Sequence, residues 1–201
     1  MDVAIIDYGL GNVASLQKVL KHIGKSSIIT DDKDLIHASK YIFLPGVGSY
    51  DAGMKNLRER NLITTLQNEV IELKKPIFGI CLGMQILAKK GYENQITDGL
   101  GWLDAEVIKI KTKDLIVPHM GWNNLINCKS ILTPFEGKDF YFVHSYHMKI
   151  NDYDAVVSNV EYGSLITASI QKENIFATQF HPEKSQDAGI ELLESFFRFY
   201  D

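Results

Sequence analysis

Short apolar runs alternate with helix-like segments through the first half of the chain. Four runs have the length and composition of buried strands, at residues 3–6, 27–30, 41–44 and 76–80. Apolar residues also recur at helical spacing over residues 13–23, 62–71 and 84–88, and Gly24 ends the first of these helices. Because parallel strands need such crossover helices, the alternation predicts an α/β fold with a parallel sheet covered on both faces.

The second half of the chain is richer in strands. Five more are predicted, at residues 105–110, 140–143, 155–157, 166–170 and 175–180, and a last amphipathic helix follows around residues 190–197. We therefore expect a central, mostly parallel sheet flanked by helices, with an antiparallel portion built from the later strands. No repeat or flexible linker divides the chain, so a single domain over residues 1–201 is predicted.

Composition and charge exclude several classes of protein. The chain is 45% hydrophobic and 23% charged, with a net charge of −4, and it lacks the basic excess that a nucleic-acid-binding face requires. No apolar run approaches the ~18 residues of a membrane-spanning helix. Two cysteines, Cys81 and Cys128, do not make a disulfide framework, and the first residues do not form a signal peptide. A cytoplasmic location is the expectation.

A glycine-rich turn follows the first strand at residues 9–14, and Asp31 and Asp32 follow the second strand. This spacing is similar to the dinucleotide-binding fingerprint, in which an acidic residue binds the ribose. The second half of the chain, however, does not repeat the βαβ pattern that would hold the other nucleotide. A tight turn between strand and helix is therefore the preferred interpretation.

Cys81 lies in the sequence Gly79-Ile80-Cys81-Leu82-Gly83, between a predicted strand and a predicted helix. The pattern is typical of a nucleophile elbow, in which glycines make room for a tight turn and a strained nucleophile backbone. A thiol at a helix N-terminus is favoured as thiolate, and the Leu82 N–H would point toward an oxyanion. The alternative is a buried structural cysteine.

A nucleophilic thiolate also needs a base, and His181 is the strongest of the six histidines. It ends a predicted strand and is followed by Pro182-Glu183. If this segment is extended, residues two apart point the same way, so Glu183 lies beside the His181 ring and fixes its tautomer. The alternative is a polar strand end with a glutamate that caps the last helix.

The segments 79–85 and 179–185 together resemble the class I glutamine amidotransferases, in which a catalytic cysteine is followed farther along the chain by His-x-Glu. Further segments, at residues 6–12, 44–48, 118–123 and 141–146, resemble the glutaminase subunits of imidazole glycerol phosphate synthase. The resemblance implies that Cys81 attacks the glutamine carboxamide, that His181 carries the proton, and that Glu183 orients His181. It implies no cofactor and no metal ion.

The same resemblance implies an oxyanion hole and a glutamine site. The hole would combine the backbone N–H of Leu82 with that of Val47 or Gly48, in a loop where a peptide flip would assemble the hole when the partner is loaded. The residues that resemble glutamine contacts are Gln85, Ser145 and Tyr146.

A partner subunit is the last implication. Ammonia would pass to a (β/α)₈ cyclase in a heterodimer that makes imidazole glycerol phosphate for histidine biosynthesis. The residues that resemble the docking face are Asn12, Met120, Trp122 and Asn123.

Three other functions stay open. Residues 49–54 and 99–102 depart from the family pattern, and paralogous glutaminases feed ammonia to an amidotransferase acting on surface-polysaccharide sugars. A non-catalytic regulatory binding module would have no need of an intact Cys-His-Glu set. A cysteine peptidase would leave Gln85 and residues 118–123 without a role.

Overall fold

Thirteen strands and six α-helices follow one another in the computed structural model, which describes residues 1–201. The strands are β1 Val3–Ile6, β2 Ser27–Thr30, β3 Tyr41–Gly46, β4 Ile77–Cys81, β5 Ala88–Gly91, β6 Thr97–Asp98, β7 Leu103–Lys109, β8 His119–Asn124, β9 Asp139–His144, β10 Tyr146–Ile150, β11 Val156–Glu161, β12 Leu165–Lys172 and β13 Ile175–Thr178. The helices are α1 Val13–His22, α2 Lys33–Ala38, α3 Tyr50–Glu59, α4 Leu62–Gln67, α5 Leu82–Gln85 and α6 Gln186–Tyr200.

A seven-stranded sheet forms the centre of the molecule, in the order β11-β12-β13-β4-β3-β1-β2. The five strands from β13 to β2 are parallel, and β11 and β12 add antiparallel strands at one edge. This arrangement confirms the predicted α/β class and the mostly parallel sheet with an antiparallel portion.

Helices cover both faces of the sheet because every parallel strand is apolar on both sides. In β1, Val3 and Ile5 pack into one hydrophobic cluster with α1 and α6, while Ala4 and Ile6 pack into a second cluster with α3 and α4. Successive residues of a strand point to opposite faces, so one apolar run serves two cores. Each fully buried large apolar side chain in these clusters contributes about 1.5–3 kcal/mol to folding.

The later strands divide among three sheets, which the sequence did not predict. Only β11, β12 and β13 join the central sheet; β10, β7, β5 and β6 form a second sheet, and β8 pairs with β9 in a third. Strand pairing depends on contacts between distant segments, and strands of all three sheets show the same alternation of apolar and polar residues. The alternation therefore does not indicate which strands pair.

The helix predicted over residues 84–88 is wrong beyond its first turn. Helix α5 ends at Gln85, and Ala88 begins β5, where it pairs with Leu103 of β7. Ile86, Leu87 and Ala88 are all fully buried. Because no exposed polar residue alternates with them, the sequence does not indicate whether they repeat with the period of a helix or of a strand. Helices α2 and α3 were not predicted, because their short apolar stripes are interrupted by charged and small residues.

Four neighbouring parallel strands, β13, β4, β3 and β1, end at the same edge of the central sheet. Ligands of open α/β sheets bind outside the carboxyl ends of the strands. The loops that follow these four strands carry the residues singled out in the sequence, so this edge holds the candidate site. No helix of the chain has both the length and the apolar character needed to cross a membrane.

Candidate active site

Cys81 is the last residue of β4 and precedes α5 directly, with φ 54° and ψ −107°. A non-glycine residue with this backbone is strained, and such strain persists only where the surroundings hold it. The flanking glycines make the turn possible. A β-carbon on Gly79 would lie 2.9 Å from the Gly83 carbonyl oxygen, and one on Gly83 would lie 1.7 Å from the Leu44 carbonyl oxygen.

Replacing Gly83 by alanine is therefore expected to lower the melting temperature, because backbone must move to admit the methyl group. Overpacking costs about 1–3 kcal/mol, and each kcal/mol lowers the melting temperature of a domain this size by about 2–4 °C. Gly53→Ala is the control, since its new β-carbon meets only the tip of the Leu82 side chain, at 3.1 Å, and alanine favours helix α3. Equal thermal scans for the two variants would contradict the close approach at Gly83.

Helix α5 differs from the long helix that the sequence suggested behind the thiol. It has only four residues, so its dipole is small and only the first-turn N–H groups act near the sulfur. Electrostatic support for a thiolate therefore comes mainly from neighbouring groups rather than from a helix macrodipole.

His181 lies beside Cys81 because β13 and β4 are adjacent parallel strands, with Thr178 opposite Ile80. The backbone of His181 is held on both sides: its N–H donates to the Tyr141 carbonyl at 2.9 Å, and its carbonyl accepts from the Ser185 hydroxyl at 2.6 Å. The sequence therefore named the histidine that the fold brings to the nucleophile.

Glu183 contacts the far side of the same ring. The His181 Nδ1 and the Glu183 Oε1 are 2.8 Å apart, and both side chains are almost completely buried. The predicted contact occurs, but the predicted reason was wrong. Residues Pro182–Lys184 form a 3₁₀ turn rather than an extended segment, and this turn carries Glu183 back to the imidazole.

The protonation of His181 follows from its neighbours. Burial by itself lowers the pKa of His181, but the negative charge of the nearby Cys81 sulfur and the Glu183 carboxylate, which is hydrogen-bonded to the ring Nδ1, together raise it above its ordinary value. The raised pKa favours the charged imidazolium form of His181, and a neighbouring imidazolium is one of the groups that activate a nucleophilic cysteine.

Gln179 is a site residue to which the sequence analysis gave no role. Its Nε2 approaches the Cys81 sulfur at 3.7 Å, and its Oε1 accepts from the Gln85 Nε2 at 3.0 Å. The Gln85 Nε2 also donates to the Tyr146 carbonyl at 2.9 Å. Gln85, which was predicted to contact glutamine, therefore also links Gln179, beside the Cys81 sulfur, to Tyr146 of β10 through hydrogen bonds.

A cavity of about 500 Å³ opens above the Cys81 sulfur. It is lined by Cys81 together with every residue predicted for the oxyanion hole or for glutamine contact, namely Leu82, Val47, Gly48, Gln85, Ser145 and Tyr146. His181 and Glu183 lie behind the nucleophile and do not line the cavity. The sequence patterns thus converge on one concave site, as an enzyme site requires.

The same cavity is lined by two charged residues that the sequence did not single out, Glu93 and Lys184. The Glu93 Oε2 accepts from the Tyr50 backbone N–H at 2.8 Å, which orients the carboxylate. A cavity with one carboxylate and one ammonium group suits a zwitterionic ligand. Charged residues are common on surfaces, so nothing local marks these two.

A pair of buried histidines flanks the cavity. The His144 Nδ1 donates to the Tyr146 carbonyl at 2.8 Å, so its Nε2 accepts from the His119 Nδ1 at 3.1 Å. Burial lowers the pKa of His144 to about 3 and that of His119 to about 4. Both imidazoles are therefore neutral, and neither competes with His181 as a proton carrier. No three histidine, cysteine, aspartate or glutamate side chains are close enough to share a metal ion.

The glycine-rich turn at residues 9–14 packs against the end of β3. A β-carbon on Gly11 would lie 3.2 Å from the Pro45 carbonyl oxygen, so glycine is needed there for close packing. The two acidic residues that matched a ribose-binding position have other roles: Asp31 pairs with Arg60 at 2.8 Å, and Asp32 caps α2. These contacts favour the tight-turn interpretation.

The four residues predicted to dock a partner do not share one face. Met120 and Trp122 are 62% and 48% exposed and alternate along β8, so they point the same way. Asn123 points to the opposite side, where its Nδ2 donates to the Glu161 carbonyl at 3.1 Å. Asn12 caps α1 by accepting from the Ser15 N–H.

Comparison with known proteins shows the family of the chain. The family model of class-I glutamine amidotransferases matches residues 4–199. The chain belongs to this family. The amidotransferase is also similar along nearly its whole length to curated relatives: it is 47% identical over 201 residues to imidazole glycerol phosphate synthase subunit HisH 1 of Campylobacter jejuni, covering 98% of this chain and 99% of the relative.

Other relatives and solved structures agree with this assignment. The amidotransferase is 42% identical to imidazole glycerol phosphate synthase subunit HisH 2 of Methanococcus maripaludis, over 98% of both chains. A crystal structure of a glutamine amidotransferase superimposes with a TM-score of 0.79 at 19% identity, covering 100% of this chain and 99% of that one. PurLQS from Thermotoga maritima gives a TM-score of 0.76 at 22% identity, covering 100% and 99%. At these identities the two structures support the fold alone.

Proposed function

We propose that this amidotransferase, as one domain over residues 1–201, hydrolyses glutamine to glutamate and ammonia with Cys81, His181 and Glu183. One observation carries the proposal: the His181 ring lies between the Glu183 carboxylate and the Cys81 sulfur, and Cys81 in turn lines a cavity of about 500 Å³. Geometry of this kind activates a thiol and holds the base in one tautomer.

The first half of the reaction forms a thioester. The Cys81 thiolate attacks the carboxamide carbon of glutamine, and the carbonyl oxygen becomes an oxyanion. The backbone N–H of Leu82 and that of Val47 or Gly48 stabilise this charge. The imidazolium of His181 gives its proton to the departing nitrogen, the carbon–nitrogen bond breaks, and ammonia leaves.

The second half restores the enzyme. Neutral His181 takes a proton from water, the hydroxide attacks the thioester, and the carbon–sulfur bond breaks to release glutamate and the Cys81 thiolate. Glu183 stabilises the imidazolium whenever it forms and keeps the Nε2 directed toward the sulfur. The nearly complete burial of the pair strengthens these interactions by excluding water.

Recognition of glutamine uses both ends of the substrate. Gln85, Ser145 and Tyr146 line the cavity beside Cys81. In the proposed complex these residues contact the side chain and backbone of glutamine. Glu93 pairs with the α-ammonium group, and Lys184 with the α-carboxylate, because these are the charged side chains of the cavity lining apart from the Cys81 thiolate. The free amino acid is therefore preferred over a glutamine inside a peptide.

Ammonia is delivered to a partner. The relatives are named as subunits of imidazole glycerol phosphate synthase, and we propose that this chain forms a cytoplasmic heterodimer with a (β/α)₈ cyclase for histidine biosynthesis. Free ammonia protonates in water and diffuses away, so coupled sites prevent its loss. The loop at residues 45–48 would complete the oxyanion hole only when the cyclase holds its substrate, which predicts weak hydrolysis by the isolated chain.

The docking surface is assigned to Met120, Trp122 and the start of α1. Trp122 and Ser185 line one surface cavity, and Ser15 and Glu183 line another. The proposed docking surface therefore lies on both sides of the segment that carries Glu183. Exposed Met and Trp are residue types enriched at the centres of protein interfaces. Asn12 lies at the cap of α1 next to Ser15.

Trp122→Ala is expected to weaken cyclase binding by about 30-fold or more, since a Trp hot spot contributes about 2 kcal/mol or more. The dissociation constant can be measured by titration calorimetry of the two purified subunits. Phe199→Ala is the matched control: Phe199 is 51% exposed, but it lies on α6 outside the proposed surface. Equal dissociation constants for the two variants would remove β8 from the interface.

A second candidate function has support from the names of the relatives. Several carry the numbers 1 or 2, as paralogous copies in one organism do. These numbered names, together with the departures from the family pattern at residues 49–54 and 99–102, leave a second function open. In that function the chain is a paralogue that feeds ammonia to an amidotransferase acting on surface-polysaccharide sugars.

One experiment tests the proposed chemistry and separates the two partners. Glutamate release from L-glutamine is measured for the chain alone, with the cyclase and its ribonucleotide substrate, and with the sugar amidotransferase. Strong stimulation by the cyclase supports the histidine pathway, and stimulation by the sugar enzyme supports the paralogue. No release of glutamate under any of the three conditions would leave a non-catalytic binding module as the function.

A further inference from the structure

Tyr8 follows β1 at the edge of the sheet that carries the active site, and its side chain is fully buried. Its hydroxyl group has no hydrogen-bond partner. A buried hydroxyl without a partner is costly, because it gave up hydrogen bonds to water and received none in return. Such a group calls for an explanation, and a second conformational state that supplies the partner is one.

The unpartnered hydroxyl contacts the start of the loop proposed to form the oxyanion hole. A β-carbon on Gly46 would lie 2.1 Å from the Tyr8 hydroxyl oxygen, 2.9 Å from the Leu82 Cβ and 3.2 Å from the Gly83 nitrogen. Gly46 is also the residue of β3 that pairs with Cys81 of β4. The hydroxyl therefore lies where the oxyanion loop and the nucleophile elbow meet.

The Tyr8 ring is held firmly in this position. Its backbone carbonyl accepts from the Asn56 Nδ2 at 2.9 Å, and the ring packs in the core cluster of α3 and α4. Burial and the negative charge of Cys81 raise the pKa of Tyr8 above its ordinary value, so the hydroxyl keeps its proton and remains a donor. Because the ring is fixed, a partner has to come from movement of the neighbouring backbone.

Beyond Gly46 the backbone is not held by strand pairing. Gly48 has φ +119°, Val47 is 38% exposed, and the strand pairing of β3 ends at Gly46. A rotation of the peptide between Gly46 and Val47 turns the carbonyl of Gly46 and the N–H of Val47 to opposite sides at the same time. One rotation can thus satisfy Tyr8 and reorient a candidate oxyanion donor.

We propose that the Tyr8 hydroxyl donates to the Gly46 carbonyl after the peptide rotates to direct the Val47 N–H at the substrate oxyanion. Tyr8 is then a positioning residue that stabilises the active form of the loop. This inference rests on the proposed glutaminase function. The hydrogen bond is absent from the resting conformation of the loop and forms only in the active conformation, so it stabilises the active conformation.

Tyr8→Phe tests the proposal, since it removes the hydroxyl and preserves the ring. In the complex with the cyclase and its ribonucleotide substrate, kcat for glutamine hydrolysis should fall about tenfold with KM within about twofold, as expected for one lost hydrogen bond. The melting temperature of the isolated chain should rise, because an unpartnered buried hydroxyl is removed. Tyr41→Phe is the matched control.

Tyr41 is at the opposite end of β3 from the oxyanion loop, and its hydroxyl donates to the Asp201 carboxylate. Tyr41→Phe removes a hydroxyl that has a partner, so it should not raise the melting temperature, and its kcat should equal that of the wild type. Alkylation of Cys81 by iodoacetamide gives a further readout. It needs the thiolate and forms no oxyanion, so Tyr8→Phe should leave its rate unchanged.

Three results would overturn the proposal. A wild-type kcat in Tyr8→Phe would show that the hydroxyl does not favour the active loop. A parallel loss of alkylation rate would show that it acts on the sulfur. A lower melting temperature would show that it already has a partner in the resting state. Failure of the glutaminase function itself would appear separately, as absence of glutamate release by the wild-type complex.

Discussion

Replacing Cys81 by alanine is expected to abolish glutamine-dependent synthesis by the complex and to leave ammonia-dependent synthesis unchanged. Without the sulfur no thioester forms, whereas added ammonia reaches the partner's site directly. Loss of the nucleophile removes the whole covalent route, so the expected effect is the largest of any single substitution. Product formation is measured with glutamine and with ammonium salt as alternative nitrogen sources.

Cys128 provides the matched control for this experiment. It is the only other cysteine of the chain, is half-buried, and lies outside the cavity. Cys128→Ala should retain synthesis from both nitrogen sources. Synthesis from glutamine that survived in Cys81→Ala would show that another group is the nucleophile. Loss of both activities in Cys81→Ala would show instead that the substitution impairs synthesis at the partner's site.

His181→Asn is expected to lower kcat/KM for glutamine by at least ~10²–10⁴-fold, the range that general acid–base catalysis contributes. Asparagine can still hydrogen-bond to Glu183, but it cannot give a proton to ammonia or take one from water. The loss should appear mainly in kcat, because the imidazole does not line the cavity that binds glutamine. Glutamate release is followed in the presence of the cyclase.

Two comparisons make this result specific. His37→Asn changes a largely exposed histidine that pairs with Glu69 far from the cavity, and its activity should equal that of the wild type. Glu183→Gln should lose less than His181→Asn, because glutamine can still orient the ring although it no longer stabilises the imidazolium charge. Near-normal hydrolysis in His181→Asn would remove His181 from the mechanism.

Part of the site was predictable because its signals are local. A β-carbon on Gly79 would approach Gly83 within the same turn, and a β-carbon on Gly83 would approach Leu44 of the neighbouring strand β3. The spacing of the two glycines was therefore enough to infer a tight turn. His181 and Glu183 are two residues apart, and their contact depends on one short turn. The proposed triad was therefore nameable from the sequence, although the turn's 3₁₀ conformation was not.

Other parts depend on contacts between distant segments, which have no local signature. Gln179 gains its place because β13 lies next to β4, and Glu93 gains its place because β5 replaces the predicted helix after Gln85. A buried apolar run such as residues 86–88 has no polar face to indicate its period. The unpartnered Tyr8 hydroxyl is also invisible in the sequence, since hydrogen bonding of a buried group depends on everything packed around it.

By itself the sequence determined the class of fold, through the alternation of strands and helices, and it pointed to the tight turn at Cys81 and to the proposed base, because these two signals are spacings over a few residues. Only the tertiary structure decided that β13 pairs with β4 and β4 with β3, which brings His181 and the loop after Gly46 to the same sulfur. Strand order and register are chosen by the packing of whole faces, and many orders are compatible with the same local pattern.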